Sequence, residues 1–239
     1  MGTVITVDVR EPAVSAEAVD SAFAWFHEVD EVFSTFRPDS EISRLSRGEL
    51  RESECRRDVR EVLGLCEEVR QRSRGSFDIR HSGVLDPSAL VKGWSVERAA
   101  ALLVAAGARN FVINAGGDAV VRGEPTPGQA WRVGVRHPEL ADRVAAVLAV
   151  RDLAVATSGA YERGEHIVDP LRGKPPSGLL SMTVVGASLS YADAYATAAF
   201  VMGDPGAAWV AEIDGYEAMA ITALGRTVWT PGLEALIVR

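Results

Sequence analysis

Four short segments of the chain contain residues that could bind a metal ion, bind phosphate or transfer a proton. In the last of them Asp193 and Thr197 lie four residues apart, so a helix would place the carboxylate and the hydroxyl on one face. Oxygen ligands of this kind suit Mg²⁺ better than zinc. The pair therefore indicates either a Mg²⁺ site or a capping aspartate next to a threonine at the edge of the core.

Two further segments place small residues where strands end or helices begin. Lys92 and Gly93 come just before a predicted helix, where the lysine and the helix N-terminus would attract phosphate. The alternative is an ordinary helix cap with a solvent-exposed lysine. Residues 114–118, NAGGD, separate two predicted strands and form either a polar site or only a tight turn.

The remaining segment, residues 154–175, contains His166 between a predicted strand end at 157–159 and the next strand. Histidine titrates near neutral pH, so His166 could act as an acid or a base. A structural role is the alternative for this residue.

Hydrophobic periodicity predicts the elements that would position these segments. Apolar residues at helical spacing from Val19 to Phe36 predict a first helix that Pro38 stops. Further helices are predicted over about 58–72, 94–106, 190–202 and 205–213. Gly107 ends the helix predicted over 94–106. Strands are predicted over 3–9, 111–114, 119–122, 131–135, 145–150, 153–157, 165–169, 183–187, 218–222 and 227–229. No linker or low-complexity segment interrupts the chain, so we expect a single α+β domain over residues 1–239, with helices packed on a largely antiparallel sheet.

Composition excludes several classes of protein. The 239 residues are 47% hydrophobic and 24% charged, as in ordinary globular proteins. A formal charge of −8 argues against a nucleic-acid partner, and no stretch is apolar enough for a membrane segment. The motifs GxGxxG, GxxxxGK[ST], GxSxG and HExxH are absent, which disfavours Rossmann dehydrogenases, P-loop enzymes, α/β-hydrolases and zincins.

Two cysteines, Cys55 and Cys66, are too few for a disulfide framework, and together with the lack of an export signal they predict a cytoplasmic protein.

The order and spelling of these segments resemble the ApbE family of FAD:protein FMN transferases over nearly the whole chain. The matching stretches are MGT at 1–3, SEISRLS at 40–46, GSFD at 75–78, residues 85–98, NAGGD at 114–118, residues 131–138, residues 156–175 and residues 193–203. The chain begins at the MGT motif without the leader of exported relatives, which agrees with the cytoplasmic prediction.

The resemblance implies a function and a set of site residues. FAD would be held by Met1, Ser76, Phe77, Asp78, Asp86, Lys92 and Ile167. Mg²⁺ would be bound by the backbone carbonyl of Ala89 and the side chains of Asp193 and Thr197, with pyrophosphate oxygens completing its shell. The family transfers FMN from FAD to a threonine hydroxyl of an acceptor protein and releases AMP, and His166 is the candidate for proton transfer. The alternatives are a non-catalytic FAD- or FMN-binding module and an FAD pyrophosphatase that yields FMN and AMP.

Two departures from the family pattern affect the expected site. Only residues 79–85 separate Asp78 from Asp86, where longer relatives carry an aromatic loop, so we expect an open site and weaker FAD binding unless a second subunit or Trp94 covers it. In the stretch that the family spells LDLGGIAKG, Pro87 stiffens the turn and Ser88-Ala89 replace a pair of glycines.

Overall fold

The computed structural model describes residues 3–80, 83–140, 142–159 and 167–238. Its helices are α1 (Ala16–Phe33), α2 (Glu41–Ser46), α3 (Arg57–Arg72), α4 (Ser88–Ala105), α5 (Leu189–Met202) and α6 (Gly206–Ala211). Its strands are β1 (Ile5–Val9), β2 (Phe111–Ala115), β3 (Asp118–Arg122), β4 (Trp131–Arg136), β5 (Val144–Val150), β6 (Ala154–Gly159), β7 (Leu179–Gly186), β8 (Glu217–Thr222) and β9 (Thr227–Trp229). Short 3₁₀ turns lie at Glu52–Glu54 and Pro231–Leu236.

Seven of these strands form one sheet in the order β1-β2-β3-β6-β7-β8-β9, and each neighbouring pair is antiparallel. Strands β4 and β5 form a separate antiparallel hairpin. The prediction of an α+β fold with a largely antiparallel sheet is confirmed. The prediction that residues 1–239 form one domain stays a prediction.

Side chains alternate between the two faces of the large sheet, and each face buries a different set of partners. Val120 and Val184 pack with the helices in the larger hydrophobic core. Their neighbours Val121 and Val185 pack with residues of the β4–β5 hairpin, among them Trp131, in a second core. The helices therefore cover one face of the sheet and the hairpin contributes to the other.

The first helix ends earlier than its apolar spacing predicts. Helix α1 stops at Phe33, and Ser34 adopts an extended conformation. The Ser34 carbonyl accepts hydrogen bonds from the hydroxyls of Ser40 (2.7 Å) and Ser43 (3.3 Å), which hold the chain in a turn leading to α2. Phe36, which the sequence placed on the buried face of the helix, lies outside it and is 96% exposed.

Helix α4 begins six residues before its predicted start. The Asp86 carboxylate accepts a hydrogen bond from the Ser88 N–H at 3.0 Å, which satisfies one of the free donors at the helix start. Lys92 and Gly93 therefore lie within the helix, and the prediction that they precede it is wrong. The left-handed Gly107 follows the helix end as predicted, with φ +93°.

The strand predicted over 165–169 is the other clear difference. Residues 165 and 166 lie outside the described part of the chain. Ile167 and Val168 have no regular secondary structure, and Asp169 forms only an isolated bridge with Lys174. The segment between the first two predicted helices, for which no element was predicted, contains helix α2, whose first turn is capped by the Ser40 hydroxyl accepting from the Ser43 N–H.

Candidate active site

A cavity of about 590 Å³ opens where the end of α1, the start of α4, helix α5 and the end of β6 meet. This volume is typical of small-molecule and cofactor sites. Its lining includes nine of the residues that the resemblance assigned to the site: Ser76, Phe77, Asp78, Asp86, Ala89, Lys92, Ile167, Asp193 and Thr197. The other two, Met1 and His166, lie outside the described residues.

The turn that follows α3 brings the GSFD segment to the cavity. Arg74 and Gly75 both have positive φ, +53° and +86°, so the chain reverses sharply after the helix. The Phe77 N–H then donates to the Ser73 hydroxyl at 3.1 Å. Phe77 is buried in the core and contributes an apolar wall, while Asp78 is partly exposed in the same cavity.

Hydrogen bonds fix the ends of the short segment between Asp78 and Asp86. The Asp86 N–H donates to the Ile79 carbonyl at 2.8 Å, and the Leu85 N–H donates to the Ser46 hydroxyl at 3.1 Å. This closure places Asp86 at the start of α4 and in the cavity wall. Ala89 and Lys92, three residues apart on α4, line the cavity one turn further on.

A carboxylate of α4 binds the first turn of helix α5. Glu97 of α4 accepts hydrogen bonds from the N–H groups of Leu189 (2.9 Å) and Ser190 (3.2 Å) and from the hydroxyls of Ser188 (3.0 Å) and Ser190. A negative charge at the N-terminus of a helix is stabilising. Glu97 therefore fixes the first turn of the helix that carries Asp193 and Thr197.

Asp193 is a buried carboxylate with its charge partners on α4. Its Oδ1 lies 3.5 Å from the Lys92 ammonium, and its Oδ2 accepts from the Gly93 N–H at 3.2 Å. Burial is the largest influence on this group and raises the pKa of Asp193, while the Lys92 ammonium opposes that shift. Charge on Asp193 is costly in these surroundings, and a further cation beside it would stabilise the ionised form.

Sequence reasoning left out Asp118, although it had singled out the NAGGD segment. Gly116 and Gly117 have φ +61° and +98°, which makes the two-residue turn between β2 and β3, so the tight turn is present. Asp118 opens β3 directly after that turn and has no exposed surface. Its Oδ2 lies 2.6 Å from the Lys92 ammonium. A carboxylic acid that follows a glycine turn and begins a buried strand is the signal that could have identified it.

The end of β6 contributes two more residues that had no predicted role. The Thr157 N–H donates to Asp118 Oδ1 at 3.0 Å. The Ser158 and Thr197 hydroxyls lie 3.1 Å apart, so β6 also contacts the second predicted metal ligand. Both residues line the cavity.

Two aromatic residues, Trp94 and Phe36, differ from their predicted positions: Trp94 is buried and Phe36 is exposed. Trp94 cannot cover the site, because it is buried between Trp25 and Phe33 and its indole N–H donates to Glu61 at 3.1 Å. The exposed Phe36 lines the cavity instead.

Among the described residues, no three His, Cys, Asp or Glu side chains are grouped so that they could hold a metal ion. The predicted set of one carboxylate, one hydroxyl and one carbonyl is sparse, and it suits Mg²⁺, which usually keeps waters and phosphate oxygens in its shell.

No helix in the described part of the chain is both long and apolar enough to span a membrane.

Comparison with solved structures identifies the fold. The flavin transferase ApbE of Vibrio cholerae superposes with a TM-score of 0.86 at 22% identity, over 99% of this chain and 96% of that one. The ApbE protein of Thermotoga maritima gives a TM-score of 0.89 at 20% identity, over 100% and 97% of the two chains. The protein thus has the fold of these ApbE proteins.

Sequence comparison establishes the family. The ApbE family model matches residues 1–86 and 80–220, so this chain belongs to the ApbE family. The FAD:protein FMN transferase of Vibrio cholerae is 34% identical over 138 residues, 54% of this chain and 41% of that protein. The enzyme of the same name from Rhodobacter capsulatus is 36% identical over 160 residues, 63% of this chain and 30% of that protein. The chain spans less than half the length of these curated relatives.

Proposed function

We propose that the protein is a Mg²⁺-dependent FAD:protein FMN transferase, which moves FMN from FAD to a threonine hydroxyl of an acceptor protein and releases AMP. The observation that carries this proposal is the cavity itself, which gathers nine predicted site residues from four separate segments of the chain. Membership of the ApbE family and the names of the curated relatives support the same reaction.

FAD is the proposed substrate, and the cavity has the mixed character that a dinucleotide needs. Apolar walls from Phe77 and Ile167 can bury ring surface, and the Lys92 ammonium can neutralise phosphate charge. Lys92 is one-fifth exposed, so it faces the cavity while its ion pairs hold it in place. Ser76, Asp78 and Asp86 supply polar groups for orientation, and Met1 stays a proposed contact outside the described residues.

The residues present fit Mg²⁺. Asp193 is buried and its charged form is disfavoured by that burial, while Thr197 lies one turn along the same helix and Ala89 of α4 lines the same cavity. These are hard oxygen donors, which Mg²⁺ prefers. When bound, the metal would neutralise charge that develops on the pyrophosphate and help to align the reacting groups.

The transfer itself is a displacement at phosphorus. The threonine oxygen of the acceptor forms a bond to the FMN phosphorus of FAD, the bond to the AMP oxygen breaks, and the hydroxyl proton passes to a base. We assign that base to His166, whose imidazole can accept a proton near neutral pH. Lys92 would stabilise the negative charge on the phosphates as AMP leaves.

One experiment separates transfer from its alternatives. The protein is incubated with FAD, Mg²⁺ and a candidate acceptor, and the denatured acceptor is examined for covalent flavin while AMP is quantified. Transfer gives flavin on the acceptor and an equal amount of AMP, and an acceptor with the threonine replaced by valine stays unlabelled. AMP and FMN without labelled acceptor would identify a pyrophosphatase, and FAD binding without either product would identify a binding module.

We propose a cytoplasmic location as well. Cys55 and Cys66 are both buried and unpaired, and burial raises the pKa of the Cys66 thiol, which keeps it protonated and unreactive. Free core thiols are typical of a reducing compartment. Cell fractionation that places the protein in an oxidising compartment would overturn this part of the proposal.

A further inference from the structure

Polar contacts link four elements of the fold at the predicted metal ligands Asp193 and Thr197. Lys92 of α4 contacts Asp118 of β3, the Asp118 carboxylate accepts from the N–H of Thr157 in β6, and the neighbouring Ser158 contacts Thr197 of α5. Asp193 of α5 in turn contacts Lys92 and Gly93 of α4, so the contacts form a closed ring. Of the three charged residues in this ring, Lys92 and Asp193 have roles in the proposed reaction and Asp118 has none.

The ammonium of Lys92 lies between two carboxylates but not midway. It is 2.6 Å from Asp118 Oδ2 and 3.5 Å from Asp193 Oδ1, so the stronger attraction is to Asp118. Both carboxylates are almost completely buried, and attraction between charges is stronger there than in water. Without the charge of Asp118, the attraction of the ammonium to Asp193 would have no competing carboxylate in this pair.

The Asp118 carboxylate is fixed firmly enough to hold a flexible lysine. Its backbone follows the two-glycine turn directly, and it pairs with Ala115 at the closing position of the hairpin. Its other oxygen accepts the Thr157 N–H at 3.0 Å, which anchors the side chain to β6. A lysine side chain has four rotatable bonds, so its position depends on a partner of this kind.

We propose that Asp118 is a positioning residue, which keeps the Lys92 ammonium closer to itself than to Asp193 so that Asp193 stays available to a divalent cation. The same contact keeps the lysine charge directed at the phosphates of the substrate. The inference rests on the proposed function for the identity of the cation and the substrate, but its test does not require turnover.

The test measures Mn²⁺ binding to the FAD-free protein by calorimetry or by the electron paramagnetic resonance signal of free Mn²⁺. Asp118→Asn keeps an oxygen that can accept the Thr157 N–H but removes the charge that attracts Lys92. We expect the Mn²⁺ affinity of this variant to fall at least tenfold, because Lys92 then competes for Asp193. The matched control is Asp152→Asn, since the Asp152 carboxylate also accepts one backbone N–H, from Gly123 at 2.8 Å, and does not line the cavity. This control should bind Mn²⁺ like the unmodified protein.

A second substitution distinguishes positioning from a merely structural role. In the double variant Asp118→Asn, Lys92→Met, no ammonium competes for Asp193, and Mn²⁺ affinity should return to within about threefold of the unmodified protein. Unchanged affinity in Asp118→Asn, a loss that Lys92→Met does not reverse, or an unmodified protein that binds no Mn²⁺ would each overturn the proposal. If the Mn²⁺ pattern holds but FAD is neither cleaved nor transferred, Asp118 keeps its positioning role and the proposed function fails.

Discussion

Helix α4 packs closely against the start of α5 at Gly93, and this contact lies between the two halves of the proposed site. A Cβ atom at position 93 would lie 2.4 Å from the Leu189 carbonyl oxygen and 2.7 Å from its carbon. An ordinary contact is about 3.5 Å, so Gly93→Ala would push the start of α5 away by about 1 Å. Asp193 would move with α5 relative to Lys92.

The size of the effect follows from two opposing contributions. Alanine stabilises a helix interior by about 0.5–1 kcal/mol relative to glycine. Overpacking costs about 1–3 kcal/mol, and contact with a rigid backbone carbonyl places Gly93→Ala at the upper end. We expect a net loss of about 2 kcal/mol in the free energy of unfolding, which corresponds to a melting temperature lower by about 4–8 °C for a chain of this size.

Gly64 provides the matched control. It lies within α3, it is exposed, and a Cβ there would meet nothing within 4 Å. Gly64→Ala should therefore raise the melting temperature by about 1–4 °C. The assay is thermal unfolding of the three proteins, together with their Mn²⁺ affinity, which should fall about tenfold or more in Gly93→Ala alone because Mg²⁺-type sites tolerate little displacement. Equal stability and equal affinity in both variants would refute the close contact between α4 and α5.

Four other predictions address the site. Asp193→Ala should lower FMN transfer at saturating Mg²⁺ by at least tenfold while the fold persists, because it removes the charged metal ligand but keeps a good helix former; near-normal transfer in a folded variant would contradict the metal assignment. His166→Asn should lose transfer and keep FAD affinity close to that of the unmodified protein in a calorimetric titration, since it removes a proton acceptor but not a polar group; equal loss of both would make His166 a binding or structural residue. The protein should purify largely without flavin, because the segment 79–85 is short and Trp94 is buried in the core, and Phe36→Ala should weaken FAD binding further. Visible flavin absorbance of the fresh protein measures the first point, and stoichiometric FAD in a demonstrated monomer would count against it.

The sequence predicted most of the fold because hydrophobic periodicity follows burial. Helix α3 carries buried residues from Val59 to Val69 at helical spacing, and its predicted bounds differ from the observed ones by one residue. Gly and Pro turns separate the strands in the second half of the chain, which the sequence also predicted; the further strand predicted over 165–169 has no counterpart among the described residues. Where a helix end depends on a hydrogen bond between side chain and backbone, periodicity gave the wrong answer.

Phe36 and Lys92 illustrate this limit. Phe36 continues the apolar spacing of α1, but the hydroxyls of Ser40 and Ser43 hold the Ser34 carbonyl and the helix stops. Lys92 and Gly93 were predicted to precede a helix, but both lie inside α4, and the Leu189 carbonyl of α5 leaves no room for a side chain at position 93. The end of α1 depends on side-chain contacts six and nine residues along the chain, and the glycine at position 93 depends on a contact with α5, so apolar spacing predicts neither.

The candidate site was predictable for a different reason. Its residues came from a resemblance of motifs, and nine of them meet in one cavity. Asp118 was missed because a glycine pair followed by an acid also occurs in ordinary turns, and its contact with Lys92 crosses from β3 to α4. Glu97 was missed for a similar reason, since its partners at the start of α5 lie more than 90 residues away in sequence.

A crystal structure with FAD and Mn²⁺ tests the central claim most directly, because Mn²⁺ gives an anomalous signal and substitutes for Mg²⁺. The account predicts FAD in the cavity and one anomalous peak within bonding distance of the Asp193 carboxylate, the Thr197 hydroxyl, the Ala89 carbonyl and the pyrophosphate oxygens. An anomalous peak away from Asp193, or FAD bound outside this cavity, would contradict it.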